Sequence, residues 1–519
     1  MEIAAQTFGL WSILPPLIAI TLALWTRQVF MALAVGIWFG YMIMAGWHPL
    51  TGTLDTINSF VTVLTDTGNA RMVMFSLIIG PLIALVQRSG GVEGFVGHIL
   101  RFIEKVSVKH TEKGNRKIVE SLAALTGLFL FIESNISLFT VGTLYRPVFD
   151  KLKIPREKLA YITDSTSAPS NILVPFNAWG AFIMTLLIVY TTGPDKVFDN
   201  EFEVLVKSIA YNFYPMLTVA LIFVVIWSGK DVGDMKKAET RAAETGKILR
   251  DGAVPMMDDS VSMLEAKNGV PHRAFNMLIP IISMVVLVPS FLVYTGWGEA
   301  VAFAASEAVK AGQEPVHGLS VAWISLSKGY GSGSAAVLYA VIFAIFIAMA
   351  MYRAQGIMKI TEMVELSLKA MAGMVNVAIL AVLAFALNAM CKEIGTGNFV
   401  AGIVSGTIPA GFIPALIFII AGVIGFSTGT SWGTFSIMIA VAVPIAANVE
   451  GVNLYMAVAA ALGGGVFGDH CSPTSDTTII ASMATANDHI DHVRTQIPYA
   501  LIAGGGTVIV YLILGFMGV

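Results

Sequence analysis

Four short polar clusters interrupt an otherwise apolar chain, and their side chains are of the kind that hold a small hard cation. Two lie in the first half: Phe131-Ile132-Glu133-Ser134-Asn135-Ile136-Ser137, then Asp164-Ser165-Thr166-Ser167-Ala168-Pro169-Ser170 with Asn171 behind it. The same order recurs in the second half as Phe426-Ser427-Thr428-Gly429-Thr430-Ser431, then Asp469-His470-Cys471-Ser472-Pro473-Thr474-Ser475-Asp476. Sodium prefers oxygen, and Ser134, Asn135, Ser137, Thr428, Thr430, Ser431 and Ser436 supply side-chain oxygens. Asp164, Asp469 and Asp476 supply charge, and a carboxylate in a dry site that accepts either Na+ or H+ exchanges one for the other. Glu133 adds an ionisable group, while Ser165, Thr166, Asn171, Ser472 and Ser475 complete the candidate binding set. The expected Na+ ligands are Ser134, Asn135, Asp164, Thr428, Thr430 and Asp469. Pro169 and Pro473 lack an N–H and block helix continuation, so they hold the breaks open.

Each group also has a plainer role. Isolated Ser, Thr and Gly in membrane helices pack helices together, and the matched clustering is what favours ligation here. His470 is either a pH sensor or a structural histidine. Trp179 and Trp432 read better as packing residues than as walls of an organic substrate site. Asp488-His489-Ile490-Asp491-His492 has metal-like spacing without a second ligand set, and reads as the polar end of a helix. The chain has no Gly-x-Ser-x-Gly elbow, His-Glu-x-x-His pair or phosphate loop. That speaks against an enzyme, leaving an intramembrane hydrolase built on neighbouring Cys471 and His470 as a remote alternative.

Positioning these clusters requires a membrane fold. Of 519 residues, 56% are hydrophobic and 13% charged, and the mean hydropathy is +0.77, more apolar surface than a soluble domain hides. The net charge of -3 gives no sign of nucleic-acid binding. Two cysteines make neither a disulfide framework nor a zinc site. Glu2 and Pro15-Pro16 argue against a removable leader. Ten apolar stretches are long enough to cross as helices: 10–26, 29–47, 72–88, 159–190, 209–228, 275–294, 335–352, 371–390, 455–486 and 497–517. Stretches 122–145 and 411–446 carry central Gly, Ser and Thr and read as re-entrant hairpins. Broken helices survive in lipid only inside protein or around a water-filled cavity, and matched breaks in two halves mark the site of a secondary transporter.

The predicted fold is an all-α polytopic membrane protein with an inverted repeat of five spans and one hairpin per half. The first repeat is 1–229, with its broken helix at 159–190. The segment 230–274 is a cytoplasmic linker, read as a solvated connector with regulation as the alternative, and the second repeat is 275–519, broken at 455–486. With both termini outside, only Arg71, Lys196, Lys207, Lys310, Lys328 and Lys392 of the 31 Lys and Arg lie outside, as the bias of positive charge toward the cytoplasm demands.

The runs Ile154-Pro155-Arg156-Glu157-Lys158-Leu159-Ala160-Tyr161-Ile162-Thr163-Asp164-Ser165-Thr166-Ser167-Ala168-Pro169, Gly425-Phe426-Ser427-Thr428-Gly429-Thr430-Ser431-Trp432-Gly433-Thr434 and Gly468-Asp469-His470-Cys471-Ser472-Pro473-Thr474-Ser475-Asp476-Thr477-Thr478 resemble the NhaC-type sodium/proton antiporter family. The resemblance implies an ion-transporter-superfamily fold, hairpins and broken helices moving elevator-like against a scaffold, and sodium coupling. It also implies a homodimer in a bacterial inner membrane. The expectation is sodium/proton antiport by alternating access, with no cofactor beyond Na+ itself. The alternative is Na+-coupled transport of a small amino acid or carboxylate, contacted by Asn171, Asn177 and Trp179.

Overall fold

A computed structural model of the chain describes residues 8–26, 28–95, 97–98, 101, 112–131, 134–175, 177–191, 196–255, 266–267, 269–311, 314, 316–327, 330–396, 399 and 408–518. Every regular element among them is a helix. The chain opens with α1 (Leu14–Thr26), α2 (Val29–Met44), α3 (Pro49–Thr62) and α4 (Thr67–Arg88). Pro15 and Pro16 sit in the first turn of α1, where a missing N–H leaves no helical bond unmade. Asp66 caps α4 by accepting from Asn69 N at 2.9 Å.

The stretch around 122–145 is two helices, α5 (Glu112–Phe129) and α6 (Ser134–Lys151). Ser137 Oγ reaches across to Gly127 O at 3.3 Å and ties the arms together. The 159–190 stretch breaks twice, into α7 (Arg156–Ser165), α8 (Ala168–Asn171) and α9 (Ala178–Leu187). Pro169 starts α8, and Asn177 starts α9 by accepting from Gly180 N at 2.9 Å. Helices α10 (Glu201–Ile209) and α11 (Phe213–Ser228) follow, and α12 (Gly233–Thr245) lies within the segment 230–274 expected to be a linker.

The second half begins with α13 (Phe275–Ala311), α14 (Leu319–Ser327), α15 (Gly333–Ala354), α16 (Ile360–Gly373) and α17 (Val375–Glu393). A second pair, α18 (Ile413–Thr428) and α19 (Ser431–Asn448), turns at Gly429. The 455–486 stretch divides into α20 (Leu454–Cys471) and α21 (Asp476–Ala484), with Ser475 capping the second piece, and α22 (His489–Met517) ends the chain.

Among the described residues eight helices are long and apolar enough to cross a membrane, against ten stretches expected from the sequence. The first two stretches form helices of 13 and 16 residues, and 159–190 and 455–486 are cut by their polar clusters. Conversely, α18 and α19, expected as arms of a hairpin, are each of crossing length. The linker is not merely solvated. Met235, Ala238 and Ala242 of α12 are buried, packed on α7 and α22.

One apolar core runs through both halves, and the breaks sit inside it. Helix α20 packs along α18, and α21 packs against α6 and α7. The first contact is close because Gly468 has no side chain: a Cβ there would lie 2.1 Å from Gly422 O. The turn between α18 and α19 meets the second break at Gly429, whose φ of +65° suits glycine and whose Cβ, if present, would lie 2.6 Å from Thr474 O.

Candidate cation site

Asp164 ends α7 and is fully buried. Its Oδ2 accepts from Thr478 Oγ1 at 3.0 Å and Gln496 Nε2 at 2.7 Å, so two helices of the second half hold a carboxylate of the first. Asp469, near the end of α20, is 2% exposed, and its Oδ2 accepts from Ser431 Oγ at 2.7 Å. That bond joins the second broken helix to the start of α19. Among the described residues the other oxygen of each carboxylate, Oδ1, has no hydrogen-bond partner, and neither has Thr163 Oγ1. A buried carboxylate oxygen without a donor is costly.

The two carboxylates are linked through their sequence neighbours. His470 meets Ser165 Oγ through Nε2 (3.0 Å) and Tyr214 OH through Nδ1 (2.8 Å), one nitrogen donating and the other accepting, so both are used in joining α7, α11 and α20. His470 thereby ties three helices together, and Cys471 is buried beside it.

Several expected ligands are engaged elsewhere. Ser134 Oγ accepts from Trp179 Nε1 at 3.0 Å and contacts the Asn171 amide at 3.0 Å. Asn177 Nδ2 donates to Phe131 O (2.9 Å) and Asn171 O (2.7 Å). Asn171, Asn177 and Trp179, expected to contact an organic substrate, therefore tie Phe131 and the start of α6 to α8 and α9. Thr166 Oγ1 bonds Ile162 O at 2.8 Å, and Thr428 Oγ1 bonds Ile424 O at 2.9 Å, each within its own helix. Ser472 Oγ pairs with Thr474 Oγ1 at 2.9 Å, and Ser475 Oγ with Thr477 Oγ1 at 2.9 Å. Thr430 stands half-buried at the turn with its carbonyl accepting from Thr434 Oγ1 at 2.9 Å. Ser137 is spent on the hairpin, Ser436 bonds Trp432 O at 3.1 Å, and Asp476 is an exposed residue that accepts from Thr477 N at 2.9 Å. Glu133 lies outside the described residues, and Asn135 lies in the first turn of α6. Trp432 packs on Trp179 and Phe182 with ring centroids 5.3 and 4.7 Å apart, an aromatic bridge between α9 and α19.

Thr478 and Gln496 were missed from the sequence. Gln496 falls just before the 497–517 stretch and Thr478 just after the Asp476 cluster, so each looks like flanking polarity. Their signal is position: both are polar residues one or two turns into helices that follow a break. Among the described residues no three His, Cys, Asp or Glu side chains group as a metal site. Asp488 instead caps α22. Burial pushes its carboxyl up, but the N–H groups of Val254, Asp491 and Ile490, with Arg250 nearby, outweigh this and hold it below the usual range.

A family model described as the Na+/H+ antiporter family matches residues 196–516. The chain belongs to that family. Over 520 residues it is 30% identical to an uncharacterized protein of Haemophilus influenzae, covering 99% of this chain and 93% of that one. Over 109 residues it is 35% identical to the malate-2H(+)/Na(+)-lactate antiporter of Bacillus subtilis, 21% of this chain and 23% of the relative. The arginine/ornithine antiporter ArcD of Halobacterium salinarum matches over 109 residues at the same identity, 22% of its length. In fold, the chain is similar to the YdaH transporter of Alcanivorax borkumensis, with a TM-score of 0.58 at 14% identity, 95% of this chain and 98% of that one covered. This antiporter-family chain is a multi-pass membrane transporter rather than an enzyme.

Proposed function

We propose that the chain exchanges Na+ for H+ by alternating access, with Asp469 holding the cation and Asp164 the proton. The observation that carries this is the pair of buried carboxylates at the ends of α7 and α20, each with one oxygen satisfied and the other open among the described residues. Asp164 already takes two donors on one oxygen, an arrangement that leaves room for a proton. Asp469 has one hydroxyl on it and lies beside the hairpin turn, whose carbonyls and hydroxyls are oxygen donors for sodium. Occupancy of one carboxylate opposes occupancy of the other when a single compensating charge is favoured, which makes the two ions alternate.

In this reading α5–α6 and α18–α19 are re-entrant hairpins of two inverted repeats, 1–229 and 275–519, and they move with the broken helices against the remaining helices. The protein works in an inner membrane with both termini outside, as a homodimer. A second reading, Na+-coupled transport of a small carboxylate, draws on a cavity of about 500 Å³ bordered by Tyr190, Asn388, Lys392 and Asn448, and on the names of the partial relatives.

The test is transport in proteoliposomes carrying an imposed proton gradient. Added Na+ should collapse the gradient. A gradient that persists while labelled lactate or malate enters with Na+ would replace exchange by the second reading.

A further inference from the structure

The polar start of α22 is wired to Asp164. His489 Nε2 lies 2.7 Å from Pro473 O, and its Nδ1 lies 3.0 Å from Ser482 Oγ. Ser482 Oγ lies 2.9 Å from His492 Nδ1, and His492 Nε2 lies 2.9 Å from Gln496 Oε1 and 3.8 Å from Asp164 Oδ2. Gln496 is fixed in this orientation because its amide N–H groups go to Asp164 Oδ2 and His470 O, both at 2.7 Å. The chain of contacts starts at a half-buried histidine on the face that carries the linker and ends at a fully buried carboxylate.

Counting donors decides what this chain holds. Pro473 O and Gln496 Oε1 only accept, so both Nε2 atoms carry a proton. The two Nδ1 atoms then face one hydroxyl, which has a single proton to offer. Two neutral rings and one Ser leave one of these contacts unmade, and with one further proton every contact is satisfied. Ser482 also reaches Thr478 O at 2.9 Å, which gives its proton somewhere to go when the trio is neutral.

We infer that His489, Ser482 and His492 are a proton relay that holds one extra proton and passes it between the linker face and Asp164. A proton on His489 Nδ1 moves to Ser482 Oγ as the Ser482 proton moves to His492 Nδ1. His492 Nε2 rests 3.8 Å from Asp164 Oδ2 with its N–H on Gln496 Oε1, so its donation to the carboxylate oxygen, breaking one N–H bond and making one O–H bond, requires a side-chain shift that closes this gap. Reversal of the same transfers carries a proton out. The groups facing the trio are Asp164 from α7, Thr478 from α21 and His470 from α20, with Gln496 on its own helix. Asp491, also on α22, is turned to Arg250 at 2.9 Å and does not compete.

This inference rests on the exchange reading, and the test separates the two. In proteoliposomes, Ser482→Ala should cut Na+-driven proton flux by about 10²-fold, within the range of a lost proton-transfer group, while exchange of labelled Na+ for Na+ without a proton gradient stays near wild type. Ser482→Thr, which keeps the hydroxyl, should restore proton flux. Equal loss of both fluxes in Ser482→Ala would make the trio structural and overturn the relay, as would full proton flux. No Na+-driven proton flux in the wild type would overturn the exchange reading instead. Nitrogen NMR of histidine-labelled protein reads the trio without transport: His489 and His492 should titrate together in the wild type and separately in Ser482→Ala. Independent titration in both would also overturn it.

Discussion

At the scale of single residues, burial and partner count decide which polar groups have capacity left for an ion. Thr166, Thr428, Ser436 and Ser170 turn their hydroxyls back onto carbonyls of the preceding turn, a bond that costs them as ligands. Asp469, at 2% exposure, keeps one oxygen unpartnered among the described residues. Asp469→Asn preserves the size and an acceptor for Ser431 but removes the charge. Apparent Na+ affinity, read from Na+-dependent thermal shifts of purified protein, should fall at least on the order of tenfold, about 1.4 kcal/mol. An unchanged affinity would remove Asp469 from the cation site.

At the scale of elements, the places where helices break were legible in the sequence, because Pro169, Pro473 and the surrounding hydroxyl clusters forbid an unbroken apolar helix. The partners across the breaks were not. Thr478 and Gln496 reach Asp164 from residues more than three hundred positions away, and no spacing rule within one segment encodes such a meeting. Ser134 illustrates the opposite error: its type fits a ligand, but Trp179 and the Asn171 amide already occupy it. The turn at Gly429 combines both kinds of information, a left-handed φ and a close approach to Thr474 O. Gly429→Ala should therefore lower thermal stability in detergent well beyond the roughly 1 kcal/mol that left-handed backbone alone costs, and should weaken Na+ binding by displacing the hairpin from α20. Gly229, with the same φ of +65° and nothing within 4 Å of a Cβ, is the control. Equal losses in Gly229→Ala and Gly429→Ala would mean the contact with Thr474 is not what holds the turn in place.

At the scale of the whole molecule, the linker is clamped to the two helices that carry the Asp164 cage. Lys158 of α7 pairs with Asp231, Arg116 with Glu239 at 2.5 Å, Arg241 with Glu157 at 3.0 Å, and Arg250 with Asp491 of α22 at 2.9 Å. Arg156 adds a bond from Nη1 to Ala486 O at 2.9 Å, closing the loop before α22 onto α7. The linker segment, α7 and α22 are thus joined at one face. Glu157 is 1% exposed, so removing Arg241 strands a buried charge, a loss of about 3–5 kcal/mol. Arg241→Ala should lower the melting temperature in detergent and speed proteolysis of the linker after α12. Adding Glu157→Gln to Arg241→Ala removes the stranded charge and should recover most of both losses. A double variant no better than Arg241→Ala would show that lost packing of the Arg241 stem, rather than the uncompensated carboxylate, is what loosens the linker.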